Sequence, residues 1–213
     1  MDRRITENEG IGGRFDGFLL SIEEGKTLGG IRNVEAAEII RRSQSTNREE
    51  QEKALVKYAR ERGCFFSLES IRQNLKYLDK GGESEVYLDT DGKHVLKVTS
   101  YFMSDTPLEF LTNRITLHNT IFSDSAYELV GFCYSYGENG NEFCFITRQA
   151  FIEGEEPTSD EIHKYMERRG FKKSKNIASY VSDIYKITDL APNNFVKGNN
   201  GILYCIDSII YLR

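Results

Sequence analysis

A chain of 213 residues has room for one ordinary domain and a smaller appendage. Its 39% hydrophobic content, with 12 Tyr and 13 Phe but no Trp, supplies a packed core and excludes a disordered chain. The net charge of −5 argues against nucleic acid as a main partner. The opening MDRRITENEG has no apolar run behind it, and nothing approaches the ~20 apolar residues of a membrane span. A cytoplasmic protein without a membrane partner is expected. Cys64, Cys133, Cys144 and Cys205 form no CxxC pair, and His94, His118 and His163 stand alone, so neither a zinc ligand set nor a disulfide framework is expected.

In chain order, residues 1–30 mix glycines with charges and read as an irregular arm, with Phe15, Phe18, Leu19 and Leu20 able to dock. Asn33 can cap a helix over VEAAEIIRRSQ. Thr46-Asn-Arg-Glu49 has capping-box spacing and opens a second helix that Gly63 can end. A third, with Leu68, Ile71 and Leu75, runs up to Tyr77-Leu78. Residues 1–77 therefore form an arm and helical region.

From Leu78 the pattern changes to strands. Val86-Tyr-Leu and His94-Val-Leu-Lys-Val flank an Asp91-Gly92 turn, which predicts a hairpin. Thr106-Pro-Leu-Glu109 opens a helix to about Phe122. Strands Tyr127–Tyr136 and Glu142–Arg148 flank an Asn139-Gly140 turn. Thr158-Ser-Asp-Glu161 caps a helix ending at Gly170, followed by a strand-like run into Thr188 and a hairpin from Phe195 to Asp207. The class is α+β.

The residues with chemical potential concentrate near the C-terminus. Thr188-Asp-Leu-Ala-Pro-Asn-Asn194-Phe-Val precedes Tyr204-Cys-Ile-Asp207-Ser-Ile. Turn chemistry alone accounts for the Pro and Asn residues. It does not account for Asn194 five residues after Asp189 together with Asp207 thirteen later. Upstream lies Lys80-Gly81-Gly82-Glu-Ser84-Glu-Val86-Tyr, a glycine turn with backbone N–H groups accessible to phosphate. Eleven residues after Val86, Val95-Leu-Lys97-Val places a lysine in a strand.

In this order the pieces resemble the protein-kinase superfamily, with its D-L-x-x-x-N loop and the Asp of a D-F-G-like element. They are most similar to the kinase-like domains of bacterial polyvalent proteins of mobile elements. The resemblance covers Leu78–Arg213 and implies a minimal two-lobed kinase-like fold, with a cleft between a small sheet lobe and a helical lobe. It implies ATP and Mg²⁺ as cofactors, with ATP and an unidentified acceptor as partners. Asp189 would orient the acceptor hydroxyl, while Asn194 and Asp207 hold the metal. Lys97 would meet the α/β-phosphates below Gly81, Gly82, Ser84 and Val86. Backbone groups near Gln149–Phe151 would meet the adenine. Glu109 is the candidate ion-pair partner of Lys97, although a capping box explains it equally well.

Departures from the family pattern keep other readings open. Ile187-Thr188 replaces His-Arg, Ala191 replaces a common Lys, and Asp207-Ser-Ile replaces D-F-G. With Arg213 six residues after Asp207, no activation segment is expected. A nucleotide-binding pseudokinase serving as an interaction module is the main alternative, and a non-enzymatic binding protein is another.

Overall fold

The structure, a computed structural model, describes residues 32–137 and 140–213. The N-terminal arm and the Asn139 turn position lie outside the described residues. A first helix, α1, covers 32–43, followed by α2 (Arg48–Glu61) and α3 (Leu68–Asn74). Strands β1 (Lys76–Lys80), β2 (Ser84–Leu88) and β3 (His94–Ser100) come next. One helical run then comprises α4 (Pro107–Phe110), a π-helical turn (Leu111–Thr116) and α5 (Leu117–Ile121). Long strands β4 (Glu128–Gly137) and β5 (Gly140–Ala150) complete an antiparallel sheet of order β1-β2-β3-β5-β4.

Local chemistry shifts two expected helix starts. Asn33 lies inside α1, and its buried side chain donates from Nδ2 to Thr116 Oγ1 at 2.8 Å. The cap of α2 is Asn47, one residue beyond Thr46, with Oδ1 accepting from the Glu49 N–H at 2.8 Å. Asn is the better cap, and Asn47 has the extended backbone that a cap requires. Helix α3 stops before Tyr77-Leu78, which instead belong to β1, where Tyr77 packs edge-on against its cross-strand partner Tyr87.

Strand alternation gives the sheet two covered faces. Leu68, Ile71 and Leu75 pack on Tyr87, Leu96, Val98 and Ile146 on one side. On the other, α1 and α2 join Tyr101, Phe110, Leu129, Phe132 and Phe145, and Phe110 stacks on Phe145 with 4.3 Å between ring centroids. Residue 78 lies within β1, and the helices before it share these cores with the strands after it.

After Ala150 come β6 (Gly154–Glu155), α6 (Ser159–Arg168), β7 (Lys172–Lys173), β8 (Tyr180–Val181) and β9 (Tyr185–Thr188). A 3₁₀ turn (Pro192–Asn194), β10 (Phe195–Gly198), β11 (Leu203–Cys205) and β12 (Ile209–Leu212) follow. Both halves of the predicted capping box close α6 at Thr158 and Glu161, and Gly170 takes φ +83° after it. The expected helical lobe is corrected here. Alongside α6 stand two small sheets, β11-β10-β6 and β12-β9-β8-β7. Tyr, Ile and Val between Asn and Gly turns favour short strand pairs over a second helix. Ile162, Met166, Phe171, Ile187, Phe195 and Ile210 form their core with Leu117 from α5 and Phe122 just after it.

The outer edge of β4 is covered by residues 64–66. Phe66 N–H donates to Phe132 O at 2.8 Å, and Phe132 N–H donates to Cys64 O at 2.9 Å. Gly131 permits this approach, because a Cβ there would strike the Cys64 carbonyl. Gly131→Ala should therefore cost ~1–3 kcal/mol, as overpacking does. For a chain this size that lowers the melting point by about 2–12 °C. An unchanged melting curve would show that residues 64–66 do not lie against β4.

Candidate functional site

Strand β3 turns Leu96 and Val98 toward α3, so Lys97 points to the opposite face. Val86 on β2 and Thr147 on β5 lie directly across from it. The buried Lys97 Nζ donates to Ile206 O at 2.7 Å and to Tyr127 Oη at 3.3 Å. Burial lowers its pKa, and the nearby Asp207 charge opposes that shift.

The opposing wall is the loop leaving β9. Asp189 has φ +64°, a left-handed conformation that Asp visits more readily than most side chains. Asn194 closes the loop by donating from Nδ2 to Asp189 O at 2.7 Å. The Asn194 carbonyl accepts from Ile206 N–H at 2.8 Å. The interval of five thus spans a loop closed on itself, and the interval of thirteen returns a hairpin to that loop. Asp207 follows immediately, its side chain 33% exposed.

These parts surround one cleft of about 590 Å³ whose lining includes Gly81, Gly82, Ser84, Asp189, Asn194 and Asp207. A narrow inner cavity of about 20 Å³ continues past Ser84 and Asp207 to Lys97 and Tyr127. Neither Gly81 nor Gly82 has a positive φ, and a Cβ on Gly82 would meet nothing within 4 Å. The fold's own packing does not demand glycine at 82, which leaves that approach open to a ligand.

Three expected residues take other positions. Glu109 is corrected as the partner of Lys97. It sits at the helix N-terminus, where its N–H donates to Thr106 Oγ1 at 3.2 Å and its carboxylate accepts from Asp105 N–H at 2.7 Å. Gln149 and Phe151, at the end of β5, do not line the cleft. Gln149 Nε2 donates to Ser125 O at 2.6 Å, and Phe151 N–H donates to Lys93 O at 2.8 Å.

The helix instead presents Arg114, from its π-helical turn. Its guanidinium donates to Asp207 Oδ1 at 3.1 Å and to Glu83 Oε2 in the glycine turn. Burial disfavours its charge, but Asp207 and Glu83 outweigh this and raise its pKa. Four residues on, His118 is buried beneath Asp207. Its Nε2 faces the Ser125 carbonyl at 3.2 Å, and Nδ1 faces Ser208 Oγ at 2.9 Å. A carbonyl only accepts, so the ring proton sits on Nε2 and Nδ1 accepts from Ser208. Burial holds its pKa down to about 4. Sequence reasoning missed Glu83, Arg114, His118 and Tyr127. The available signal was a lone Arg between Leu111 and Ile115 on an apolar helix face.

Among the described residues, Asp89, Asp91 and His94 form a second cluster compact enough for a metal. The Arg148 guanidinium already fills it, 2.6 Å from Asp89 and 2.5 Å from Asp91. No described helix is long and apolar enough to cross a membrane.

The chain belongs to the family of serine/threonine/tyrosine kinases found in polyvalent proteins, whose family model matches residues 48–213. That span takes in α2 and α3 as well as the cleft. No curated protein and no solved structure matches the chain.

Burial and the Asp207 charge raise the Asp189 pKa above the usual carboxylate value. Ionising Asp189 therefore costs more in the folded protein than in the unfolded chain. As pH rises from the ordinary carboxylate pKa through the folded one, the unfolded state releases its proton first and stability falls. Without metal, Asp189→Asn should melt higher than wild type at pH 7, and the gap should narrow by about pH 4. Melting curves at the two pH values measure this. A variant that melts lower at pH 7 would contradict the assigned burial and repulsion.

Proposed function

We propose that the chain is an ATP- and Mg²⁺-dependent phosphotransferase with a minimal two-lobed kinase-like fold, acting on a hydroxyl acceptor. The observation that carries this reading is the gathering of Asp189, Asn194 and Asp207 in one cleft under the glycine turn, with Lys97 in the cavity behind. Family membership supports it. The donor set also fits the metal. Mg²⁺ takes hard oxygen ligands, commonly one or two carboxylates plus phosphates. Asp207 supplies a partly exposed carboxylate and Asn194 an amide oxygen.

When bound, Mg²⁺–ATP would supply the transferable phosphoryl group and a counter-charge for it. Asp207 and Asn194 would hold the metal, and the Lys97 ammonium would offset phosphate charge from the buried end. Gly81, Gly82, Ser84 and Val86 would cover the phosphates and the ring above them. Asp189 would orient the acceptor hydroxyl and take its proton as the oxygen attacks the terminal phosphorus. The bond from that phosphorus to the bridging oxygen breaks, and ADP leaves. Positioning and charge neutralisation carry most of such a reaction.

Ligand at 100 times its Kd should stabilise the protein by about 2.7 kcal/mol. That corresponds to a melting shift of roughly 5–11 °C. Asp207→Asn should lose most of the increment that Mg²⁺ adds over ATP alone, whereas Asp189→Asn should retain it. Asp189→Asn should lower turnover by about 10²–10⁴-fold. An equal Mg²⁺ increment in wild type and Asp207→Asn would remove Asp207 from the metal site. Binding without turnover on any acceptor would instead assign a nucleotide-binding pseudokinase.

A further inference from the structure

We propose that Arg114 is an exchangeable counter-ion for Asp207, displaced onto Glu83 when a divalent cation arrives. This rests on the phosphotransferase reading, which makes Asp207 a metal ligand.

Arg114 lies where the resemblance leads one to expect a helix acid facing Lys97. Lys97 has instead turned to the Ile206 carbonyl and Tyr127. The helix thus brings a positive charge to the acid that is to receive the metal. A guanidinium 3.1 Å from Asp207 Oδ1 and a cation on the same carboxylate repel each other strongly in a partly dry site. For Asp207 to accept the ion at full strength, Arg114 has to release it.

Glu83 supplies the alternative position. Arg114 engages it through Oε2 only, and among the described residues Oε1 is buried without a hydrogen-bond partner. Buried carboxylate oxygens are normally satisfied, so this one marks unused acceptor capacity. A carboxylate accepts a guanidinium through two parallel bonds. On leaving Asp207, Arg114 would complete that fork on Glu83 and keep a full counter-charge. The π-helical turn that carries Arg114 is a type of local widening often found at functional sites. Glu83 belongs to the glycine turn, so the exchange would also tighten that turn against the helix while the metal enters. Arg114 is therefore a positioning residue, coupling the state of Asp207 to the turn above the phosphates.

Two substitutions should move metal affinity in opposite directions, a pattern that general damage to the site does not give. Full-length protein would be titrated with Mn²⁺ alone, reading free ion by electron paramagnetic resonance, with Mg²⁺ as competitor. Arg114→Gln removes the competing charge and should bind Mn²⁺ about tenfold tighter than wild type, equivalent to about 1.4 kcal/mol. Glu83→Gln removes the second position, leaves Arg114 on Asp207, and should bind Mn²⁺ several-fold more weakly. Should Arg114→Gln fail to fold, the Glu83→Gln direction still decides, because unchanged or tighter binding there overturns the exchange. Unchanged or weaker Mn²⁺ binding by folded Arg114→Gln overturns it as well, while leaving the phosphotransferase reading intact if ATP retains its Mg²⁺ increment. Absence of divalent binding in all three proteins, with and without ATP, would overturn both.

Discussion

The arrangement of this cleft depends on one backbone oxygen, the carbonyl of Ile206. Lys97 Nζ and Tyr127 Oη both donate to it, at 2.7 and 2.5 Å. An ammonium buried this deeply is tolerable only when its donors are used. The bond therefore joins the middle of the five-stranded sheet to the hairpin that ends at Asp207. Around it runs a buried polar seam. Ser125 Oγ donates to Cys205 O at 2.5 Å, Gln149 Nε2 donates to Ser125 O, and Ser208 Oγ is held by His118. Each bond connects a residue between 118 and 149 to residues 205–208 or to the Ser125 turn that braces them. A buried network of this kind fixes one geometry when it is satisfied throughout. Asp207 is aimed by its neighbours Ile206 and Ser208, while its own carboxylate faces the cleft beside Arg114.

Much of this was legible in the sequence where local chemistry and tertiary need agree. The Asp91-Gly92 turn, with Gly92 at φ +66°, gives the β2–β3 hairpin, and Thr158/Glu161 give α6. The intervals around Asn194 and Asp207 were legible because a loop and a hairpin of fixed length return to the same point. The facing of the 107–121 helix was not. Its middle turn is π-helical, and an i→i+5 turn shifts the phase of every later side chain relative to a 3.6-residue period. Glu109 was prominent as a charge in the right helix, yet its capping role holds it at the first turn. Arg114 was obscured by the apolar residues on either side. Strand β12 was missed for a different reason. Its pairing with β9 joins residues 209–212 to 185–188, a contact set by the hairpin between them and by no local turn signal.

The seam and the missed arginine together explain the electrostatic character of the site. Three carboxylates, Glu83, Asp189 and Asp207, face the cleft with two cations, Lys97 and Arg114. Lys97 spends its hydrogen bonds on Ile206 and Tyr127, so it acts on Asp207 through space. Arg114 divides itself between Asp207 and Glu83. Among the described residues Asp189 has no ion pair of its own, and burial together with the Asp207 charge raises its pKa. Burial likewise raises that of Glu83, against the pull of Arg114. Among the described residues the cleft thus holds more acid than cation, in surroundings that make charge expensive. Natural proteins tolerate such local conflict mainly where function needs it. Replacing any of these acids with a neutral residue would ease the conflict and, on the proposed function, remove a charge that would draw a hard cation to the loop. The rigid seam behind Asp207 keeps the site from relaxing that charge by moving away. Local stability is given up at the cleft, and the satisfied polar bonds a few ångströms deeper hold the geometry in place.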